Sequence, residues 1–377
     1  MFKARDLRVM SPLIFGLRQL ARTVHWPRGT MPPRRAATSS SSRSKRKAEE
    51  SADSADESLK TSKKARVAEA VPSASAGSSQ PTNKVVPDTI VFPGITHPGT
   101  LRLATWNVCG LAASRKKGFQ RYIDAEDPDV LVLTETKVND EPSMDLALKA
   151  RFPYWHWSIS AKKTYSGTAI LSKHKPLSVT STLPGHPDPT LVKGRIVTME
   201  FENCFVVGTY TVNAGSDLKA RTLDQKKEWN THFETYVRDL DKRKPVIWTG
   251  DLNVAPTELG MYFRMRFHLT NAKSNWNKTA GYTEAETTAF KRFIEPPEDV
   301  ADAATFVDVW RQLHPTERQY TYFSYRFNCR LKGIGWRLDM FVLSERIASK
   351  VKMCEIRGEI YGASDHCPLV MEIEGAL

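Results

Sequence analysis

The chain has 377 residues, 40% of them apolar, and a formal net charge of +13 at neutral pH. No apolar run approaches the roughly 18 residues that a membrane-spanning helix needs, which excludes a membrane-spanning protein. Five scattered cysteines without CxxC spacing argue against a disulfide framework or a zinc site, and they favour a reducing compartment.

The positive charge is concentrated in the first part of the chain. Residues 1–88 contain 17 basic and 8 acidic residues, whereas the remainder contains 38 and 34. Residues 1–30 are basic and acid-poor, and apolar residues recur at near-helical spacing between Val9 and Leu20. This composition is typical of a mitochondrial presequence, although an ordinary basic tail has the same features.

A second kind of basic segment follows Met31. Two clusters, Arg34–Arg35 and Arg43–Lys47, flank a Ser-rich spacer and look like a bipartite nuclear import signal that would bind import receptors. Chance clusters in a tail are the alternative. Starts at Met1 and at Met31 would produce mitochondrial and nuclear forms of one protein.

The first 95 residues are predicted to form a disordered basic tail. Residues 31–95 hold few aromatic residues and much Ser, Ala, Lys and Glu, so they bury too little apolar surface to offset the entropy of an ordered chain. The folded domain is therefore assigned to residues 96–377.

From Leu101 onward the sequence predicts many strands and few crossover helices. The predicted strands are Leu101–Val108, Asp129–Glu135, Tyr154–Ser160, Gly167–Ser172, Leu177–Leu183, Arg195–Phe201, Phe205–Val212, Val246–Trp248, Trp336–Leu343 and Pro368–Ile373. The predicted helices lie near Phe119–Ile123, Leu218–Asp241 and Glu284–Ile294. This order favours an α/β fold with two packed sheets flanked by helices over a doubly wound parallel sheet.

The segment from Lys244 to Ala255 is central to the functional interpretation. A short apolar strand ends in Gly250, and Asp251 and Asn253 follow it two positions apart. In extended backbone, side chains at i and i+2 lie on the same face, so a carboxylate and a carboxamide point together from the end of a strand. Taken alone, the pattern also fits an Asx turn that caps the next helix.

Polar residues able to bind a metal ion or a phosphate follow several other strands. They are Asn107, Glu135, Tyr210, Asn213, Asp339, Asp365 and His366. Each alone is more often a turn or a cap, but Glu135 directly follows an apolar run, where an acid must be paired, metal-bound or at the surface. Oxygen ligands without thiolates suit Mg²⁺ or Mn²⁺.

These residues carry a resemblance to a known family. The motifs are Trp106–Leu111, Leu133–Lys137, Tyr165–Gly167, Asn213–Gly215, Gly250–Val254, Gly335–Phe341 and Ser364–Pro368. In this order they resemble the AP endonucleases of the exonuclease III family, within the DNase I-like metal-dependent phosphodiesterases. The resemblance implies a four-layer α/β sandwich, with the catalytic domain in residues 96–377 and the site at one rim of the two sheets.

The resemblance also implies which residues bind the metal ion and activate water. Glu135 and Asp365 would be metal ligands, with Asp251 and Asn253 beside them. Asp251 would orient and deprotonate the attacking water, and Asn253 and Asn107 would hold it in place. Phosphoryl transfer needs such an in-line water and a cation on the leaving oxygen.

Further roles follow from the same resemblance. Asp339 would pair with His366, whose other ring nitrogen would face the scissile phosphate. Tyr210 and Asn213 would donate hydrogen bonds to the phosphate oxygens. A carboxylate partner fixes the tautomer of a histidine and supports an imidazolium beside a phosphate.

The family binds an abasic sugar flipped out of the duplex, which costs least where no base remains to be unstacked. Tyr322, Trp336 and Leu338 stand at the matching pocket positions and would form an aromatic and apolar slot. Tyr165 and Arg326 are expected to contact the DNA. Without the resemblance, the aromatic segment around Tyr322 is equally compatible with ordinary strand packing.

The expected function is a monomeric, Mg²⁺-dependent AP endonuclease of base excision repair, with Mn²⁺ as an alternative metal. It would cut double-stranded DNA 5′ to an abasic site and leave a 3′-hydroxyl, with 3′-5′ exonuclease and 3′-phosphodiesterase as side activities. The expected location is the nucleus, with the mitochondrion as a second location. The alternatives are another DNase I-like phosphoesterase and a catalytically silent DNA-binding protein.

Two features depart from the family pattern. Cys109 stands where many relatives carry an acidic or amide residue near the metal, and a protonated thiol is a poor ligand for a hard cation. The segment Met261–Ser274 is longer than in close relatives and has no match. The first departure affects the expected metal affinity rather than the reaction class.

Overall fold

The computed structural model describes residues 84–94, 97–143, 146–215, 218, 220–260, 275–296, 298, 303–375 and 377. The targeting signals and the tail predicted for residues 1–83, and the insertion at 261–274, lie outside the described residues and stay predictions. Within the described part, no helix is both long enough and apolar enough to cross a membrane.

Two six-stranded mixed sheets form the centre of the described part. The strands are β1 Thr100–Asn107, β2 Val130–Thr134, β3 Tyr154–Ser158, β4 Thr168–Ser172, β5 Ser178–Thr180, β6 Ile196–Glu200, β7 Phe205–Tyr210, β8 Val246–Asp251, β9 Phe306–Asp308, β10 Asp339–Ser344, β11 Val351–Ile356 and β12 Leu369–Glu374. The first sheet has the order β11-β12-β1-β2-β4-β3 and the second the order β5-β6-β7-β8-β10-β9. The central pairs β1/β2 and β7/β8 are parallel. Because parallel strands run in the same direction, the carboxyl ends of each pair lie at the same rim of their sheet.

Most helices cover the outer faces of the sheets, whereas the two short helices that follow β9 and β10 pack against the cluster between the sheets. The helices are α1 Leu111–Arg115, α2 Phe119–Glu126, α3 Leu146–Arg151, α4 Pro189–Val192, α5 Ala220–Asp241, α6 Glu284–Ile294, α7 Val309–Leu313 and α8 Glu345–Ala348, with 3₁₀ turns at Glu258–Gly260 and Arg326–Asn328. In α5, Trp229, Phe233 and Val237 recur at helical spacing and are buried against the second sheet. This periodicity explains why the long helix was predictable.

The layers follow from three apolar clusters. Between the sheets, Val132 of β2 packs with Val206 of β7 and Phe341 of β10. On the outer face of the first sheet, Trp106 stacks on Phe119 of α2 at a ring-centroid distance of 5.7 Å. The outer face of the second sheet is covered by α5 and α6. The order helix, sheet, sheet, helix confirms the predicted four-layer α/β sandwich.

The predicted strands and helices are present, with small shifts at their ends. Two strands were missed. β9 has three residues, and β11 is an edge strand interrupted by charged residues such as Lys352 and Glu355, so neither shows a clear apolar pattern. The strand predicted to begin at Trp336 begins at Asp339 instead, because Trp336 pairs with Tyr322 in an isolated bridge.

Residues 84–94 differ from the disordered tail predicted for residues 1–95. Val86 is fully buried, and its N–H donates to the carbonyl oxygen of Lys117 at 2.7 Å. Phe92 packs edge-on against Tyr122 of α2. Because these apolar side chains fill places on the outer face of the first sheet, residues 84–94 pack with the folded part, which is a correction to the prediction for this stretch.

Candidate active site

The candidate site lies where the central strands end. Tyr210 and Asp251 end β7 and β8 at paired positions, and Asp339 begins β10 directly opposite Asp251. Asn107 ends β1 in the first sheet. Because β7 and β8 are parallel and β10 begins where β8 ends, the three polar side chains of the second sheet meet at one edge.

Gly250 allows β8 to present Asp251 at this edge. Its φ angle is +130°, a conformation that L side chains rarely adopt. A Cβ atom at this position would also collide with the carbonyl oxygen of Thr209 on the neighbouring strand. A steric requirement therefore explains why a glycine precedes Asp251.

Asn107 links the two sheets. Its Nδ2 donates to Oδ2 of Asp251 at 2.9 Å and lies 3.3 Å from Oε1 of Glu135. Its Oδ1 accepts from the backbone N–H of Cys109 at 3.0 Å. A single carboxamide thus holds the predicted base and a predicted metal ligand in one arrangement.

The turn after β8 is held by side chains and backbone together. The N–H of Asn253 donates to Oδ1 of Asp251 at 2.9 Å, and Nδ2 of Asn213 donates to Oδ1 of Asn253 at 2.8 Å. Nδ2 of Asn253 donates to the carbonyl oxygen of Thr211 at 3.0 Å. Asp251, Asn253 and Asn213 therefore converge, as the sequence analysis predicts, and the Asx turn is part of the site rather than an alternative to it.

His366 lies between two carboxylates. Its Nδ1 is 2.7 Å from Oδ2 of Asp339, and its Nε2 is 4.0 Å from Oδ2 of Asp251. The imidazole ring packs beside the ring of Tyr322 at 4.9 Å, and the indole N–H of Trp106 donates to the carbonyl oxygen of His366. The predicted Asp339–His366 pair is thus present and buried.

Burial and neighbouring charges shift the pKa values of His366 and Asp251. Burial, the largest single cause, opposes protonation of His366, but the Asp339 carboxylate together with Asp251 and Asp365 raises the pKa of His366 to about 10. Burial, followed by the Asp339 charge, raises the pKa of Asp251 to about 7. An imidazolium beside a carboxyl group that exchanges its proton near neutral pH suits acid–base chemistry at a phosphate.

Glu135 follows β2 on the other side of Asn107. Burial acts to raise the pKa of Glu135, but the Lys137 ammonium, 2.8 Å away, together with His366 and Tyr210 lowers it. The Tyr210 hydroxyl also hydrogen bonds to Glu135. The Cys109 thiol lies 3.6 Å from the Lys137 ammonium, and burial and the Asp365 carboxylate raise its pKa to about 12. Cys109 therefore stays protonated and is a poor ligand for a hard cation.

The donor atoms fit a hard divalent cation. One atom each of Asp251, Asp339 and His366 lies within 4.8 Å of the others, but a protonated His366 has no lone pair to offer a metal ion, so the carboxylate oxygens are the donors. Oδ1 of Asp339 is buried without a hydrogen-bond partner among the described residues. The predicted ligands Glu135 and Asp365 line the same cleft as Asp251. The Asn107 carboxamide lies between Glu135 and Asp251, and the predicted roles of these residues as metal ligands stay predictions.

The cleft continues from these polar groups into an apolar slot. Tyr322, Trp336 and Leu338 line the slot, as the sequence analysis predicts, and Gly281 lies on its edge. Tyr322 and Trp336 exchange two backbone hydrogen bonds of 2.8 and 2.9 Å. The slot is therefore built on a short, rigid pairing of two backbone segments.

Tyr165 and Arg326 lie nearer to the solvent than the slot residues. Tyr165 is 42% exposed, and its hydroxyl accepts a hydrogen bond from Arg195 at 2.8 Å. Arg326 is exposed on a 3₁₀ turn. Neither side chain is among the residues that line the cleft, and their predicted contacts with DNA stay predictions.

Sequence reasoning missed two buried cations behind the site. Arg195 is 3% exposed, and its guanidinium lies over the ring of Tyr210 at 5.2 Å. Lys226 is 2% exposed on α5. Lys226 precedes Trp229 by three residues on the apolar face of the helix, and a lysine at such a position was the available signal. Arg195 gave no comparable signal, because it precedes an ordinary strand.

Comparison with known proteins identifies the family. Residues 104–366 match the Endonuclease/Exonuclease/phosphatase family. The chain is 38% identical over 275 residues to the exodeoxyribonuclease of Bacillus subtilis (strain 168), covering 72% of this chain and 99% of that protein. It is 35% identical over 277 residues to the DNA-(apurinic or apyrimidinic site) endonuclease of Dictyostelium discoideum, covering 73% and 71%.

Solved structures agree with these matches. An AP endonuclease from Archaeoglobus fulgidus superposes on the chain with a TM-score of 0.60 at 26% identity, covering 72% of this chain and 99% of that one. The chain therefore belongs to the Endonuclease/Exonuclease/phosphatase family and, within it, to the exonuclease III-type AP endonucleases of the DNase I-like superfamily.

Proposed function

We propose that the chain is a metal-dependent DNA-(apurinic or apyrimidinic site) endonuclease of base excision repair. It hydrolyses the phosphodiester 5′ to an abasic site and leaves a 3′-hydroxyl, and the same site supports 3′-5′ exonuclease and 3′-phosphodiesterase activity. One observation carries this proposal: a single cleft joins the polar groups of Asp251 and His366 to the apolar slot of Tyr322 and Trp336.

Asp251 is placed to activate the attacking water. Its two oxygens accept hydrogen bonds from Asn253 and Asn107, and these bonds fix the carboxylate while lone pairs remain for water. Because its pKa is about 7, Asp251 accepts a proton readily near neutral pH. A bound divalent cation would stabilise the charge that develops on the phosphate and on the leaving oxygen.

Three side chains supply donors to the phosphate oxygens. His366 carries a proton at neutral pH because its pKa is raised to about 10, and its Nε2 points away from Asp339. Burial, the largest cause, raises the pKa of Tyr210 well above its usual value, so its hydroxyl keeps its proton. The hydroxyl donates this proton to Glu135, so a phosphate oxygen would replace Glu135 as its acceptor. Asn213 is exposed beside the turn and retains a second amide hydrogen. Preorganised donors of this kind favour the transition state over the substrate.

The apolar slot explains selectivity for an abasic site. Tyr322, Trp336 and Leu338 form a cluster with Ala255 and Tyr282. A deoxyribose without a base fits such a slot, whereas a normal nucleotide is larger and costs more to flip out of the duplex. The slot therefore favours the damaged position through both size and extrusion energy.

The oxygen-rich donor set supports Mg²⁺ as the metal, with Mn²⁺ as the alternative. The substrate partner is double-stranded DNA that contains abasic sites, and the protein acts as a monomer.

The basic clusters between Met31 and Arg66 support binding to import receptors and a nuclear location, and the segment before Met31 supports a second, mitochondrial location. Tagged chains started from each methionine should distribute differently; the same distribution for both would contradict this part.

The central test is cleavage of a duplex with one abasic analogue, compared with an undamaged duplex, in Mg²⁺ and in EDTA. A single cut 5′ to the analogue, only with metal, is expected. Asp251→Asn should slow this cut by about a thousandfold, because it removes the base. Equal cleavage of the undamaged duplex, or of RNA, would indicate another DNase I-like phosphoesterase, and binding without any cut would indicate a silent DNA-binding protein.

A further inference from the structure

Lys226 lies directly behind the turn that carries the proposed base. Its Nζ is 3.1 Å from the carbonyl oxygen of Leu252, 3.2 Å from that of Asn253 and 3.3 Å from Oγ1 of Thr211. Three acceptors match the three donors of an ammonium group. The side chain is 2% exposed, so these contacts are shielded from water.

A charged residue at this position is costly for the fold. Lys226 extends from the apolar face of α5, where Trp229 and Phe233 supply packing. Burial, the largest cause, lowers the pKa of Lys226 to about 8, which reflects the loss of hydration. An apolar residue would fill the position without that loss, so the ammonium group must provide something at this site that packing does not.

The contacts of Lys226 show what it provides. Successive carbonyl groups of an extended strand point in opposite directions, but those of Leu252 and Asn253 converge on one ammonium group. This convergence requires the left-handed conformation of Asn253, whose φ is +49°. The Leu252 carbonyl group and the Asn253 N–H belong to one planar peptide unit, so the ammonium at this carbonyl also orients the N–H that lies 2.9 Å from Oδ1 of Asp251.

Glu286 of α6 balances the charge from a distance. Glu286 and Lys226 line one small internal cavity, and Oε1 of Glu286 is buried without a hydrogen-bond partner in the described part. The other oxygen, Oε2, accepts from the N–H of Gly281 and from the hydroxyl of Thr283, each at 2.8 Å. Glu286 therefore connects the edge of the cleft to the region behind the turn.

We propose that Lys226 is a positioning residue for phosphodiester hydrolysis. Its ammonium group holds the carbonyl oxygens of Leu252 and Asn253 and so fixes the peptide unit between these two residues. The N–H of that unit in turn holds the Asp251 carboxylate at the angle at which it accepts the proton of water. Lys226 faces away from the cleft, so it acts on the hydrolytic step and not on DNA binding. This role rests on the proposed function of the site.

The test compares Lys226→Met, which keeps the length of the side chain without its charge, with Lys227→Met. Lys227 is the adjacent, exposed lysine of α5, and it contacts Asp224 at 3.5 Å. The measurements are kcat and KM on the abasic duplex, duplex affinity in EDTA, and thermal unfolding. For Lys226→Met we expect kcat to fall about 10- to 100-fold, as for other supporting residues of metal sites, with KM and affinity nearly unchanged. Lys227→Met should match the wild type.

A second variant covers the case in which Lys226→Met fails to fold. Lys226→Ala leaves a cavity that ethylammonium can enter, and this cation should restore part of kcat where propanol does not. A folded Lys226→Met with wild-type kcat would overturn the proposal, and so would equal rescue by propanol and ethylammonium. A wild-type protein that does not cut the abasic duplex would instead contradict the proposed function itself.

Discussion

His366 and Asp251 show how individual residues acquire their chemistry from their neighbours. Asp339 is buried beside His366, and the negative charge of Asp339 keeps the imidazole protonated although burial opposes it. The same negative charge acts with burial to raise the pKa of Asp251. One carboxylate thus prepares both an acid and a base, a separation of roles that environment rather than residue type produces.

Asp339→Asn tests this arrangement through stability. The pKa of His366 is about 10 in the folded protein and 6.5 in the reference state, so the pair stabilises the fold fully below pH 6.5 and less as pH rises through 10. The loss of unfolding free energy in Asp339→Asn should therefore be larger at pH 6 than at pH 10, measured by urea unfolding. Asp239→Asn, on the exposed end of α5, is the control. An equal loss at both pH values would show that His366 is not held protonated by Asp339.

Cys109→Asp tests the departure from the family at the metal site. Cys109 is protonated between Lys137 and Asp365, so it adds no negative charge. An aspartate at this position would add a hard oxygen ligand to the cleft, and the Mg²⁺ concentration for half-maximal cleavage should fall. Cys204→Ala, in the core far along the chain, is a matched thiol control. An unchanged metal titration would show that position 109 is peripheral.

At the scale of secondary-structure elements, the start of α6 is hydrogen bonded to the edge of the cleft in addition to packing against the second sheet. Thr283 caps the helix and forms a capping box with Glu286. The Glu286 carboxylate also binds the N–H of Gly281 on the cleft edge. The start of α6 and the edge of the slot are therefore one hydrogen-bonded unit.

Thr283→Ala should both destabilise the protein and loosen the cleft edge. Loss of an N-cap costs about 1 kcal/mol of unfolding free energy, measurable by urea denaturation. Because the Glu286 carboxylate loses a partner, KM for the abasic duplex should also rise. Thr288→Ala, an exposed position of the same helix, should change neither quantity. A stable variant with unchanged KM would show that the cap is independent of the slot.

Element-scale prediction succeeded where the pattern is local. The helix predicted at Glu284–Ile294 is found with the same bounds, because its cap and its apolar spacing lie within the segment. β11 was missed because it is stabilised by pairing with β12, which lies further along the chain, and not by a pattern within its own segment. An edge strand has a neighbouring strand on one side only. Fewer of its residues need to be apolar, so the apolar pattern in its sequence is weaker.

At the scale of the whole molecule, the position where the folded part begins can be tested by truncation. A chain that begins at Lys84 should keep the unfolding free energy of the full chain. A chain that begins at His97 loses the burial of Val86 and Phe92, which corresponds to about 2–4 kcal/mol. Denaturant unfolding and abasic cleavage of both chains measure the difference. Val86→Ala should reproduce part of the loss, whereas Val91→Ala, 85% exposed, should not. Equal stability of the two truncated chains would show that residues 84–94 belong to the tail and not to the folded part.

Periodicity along the chain predicted two packed sheets flanked by helices, with polar residues at the strand ends. The reaction class was an expectation from the resemblance of the motifs to the exonuclease III-type AP endonucleases. The folded structure was needed to see that Asn107 joins Asp251 to Glu135, and that Lys226 and Arg195 are buried behind the site. pKa values and hydrogen-bond geometry depend on burial and on neighbours from other strands and helices. Asn107 and Asp251, for example, are 144 residues apart in sequence and 2.9 Å apart in the fold.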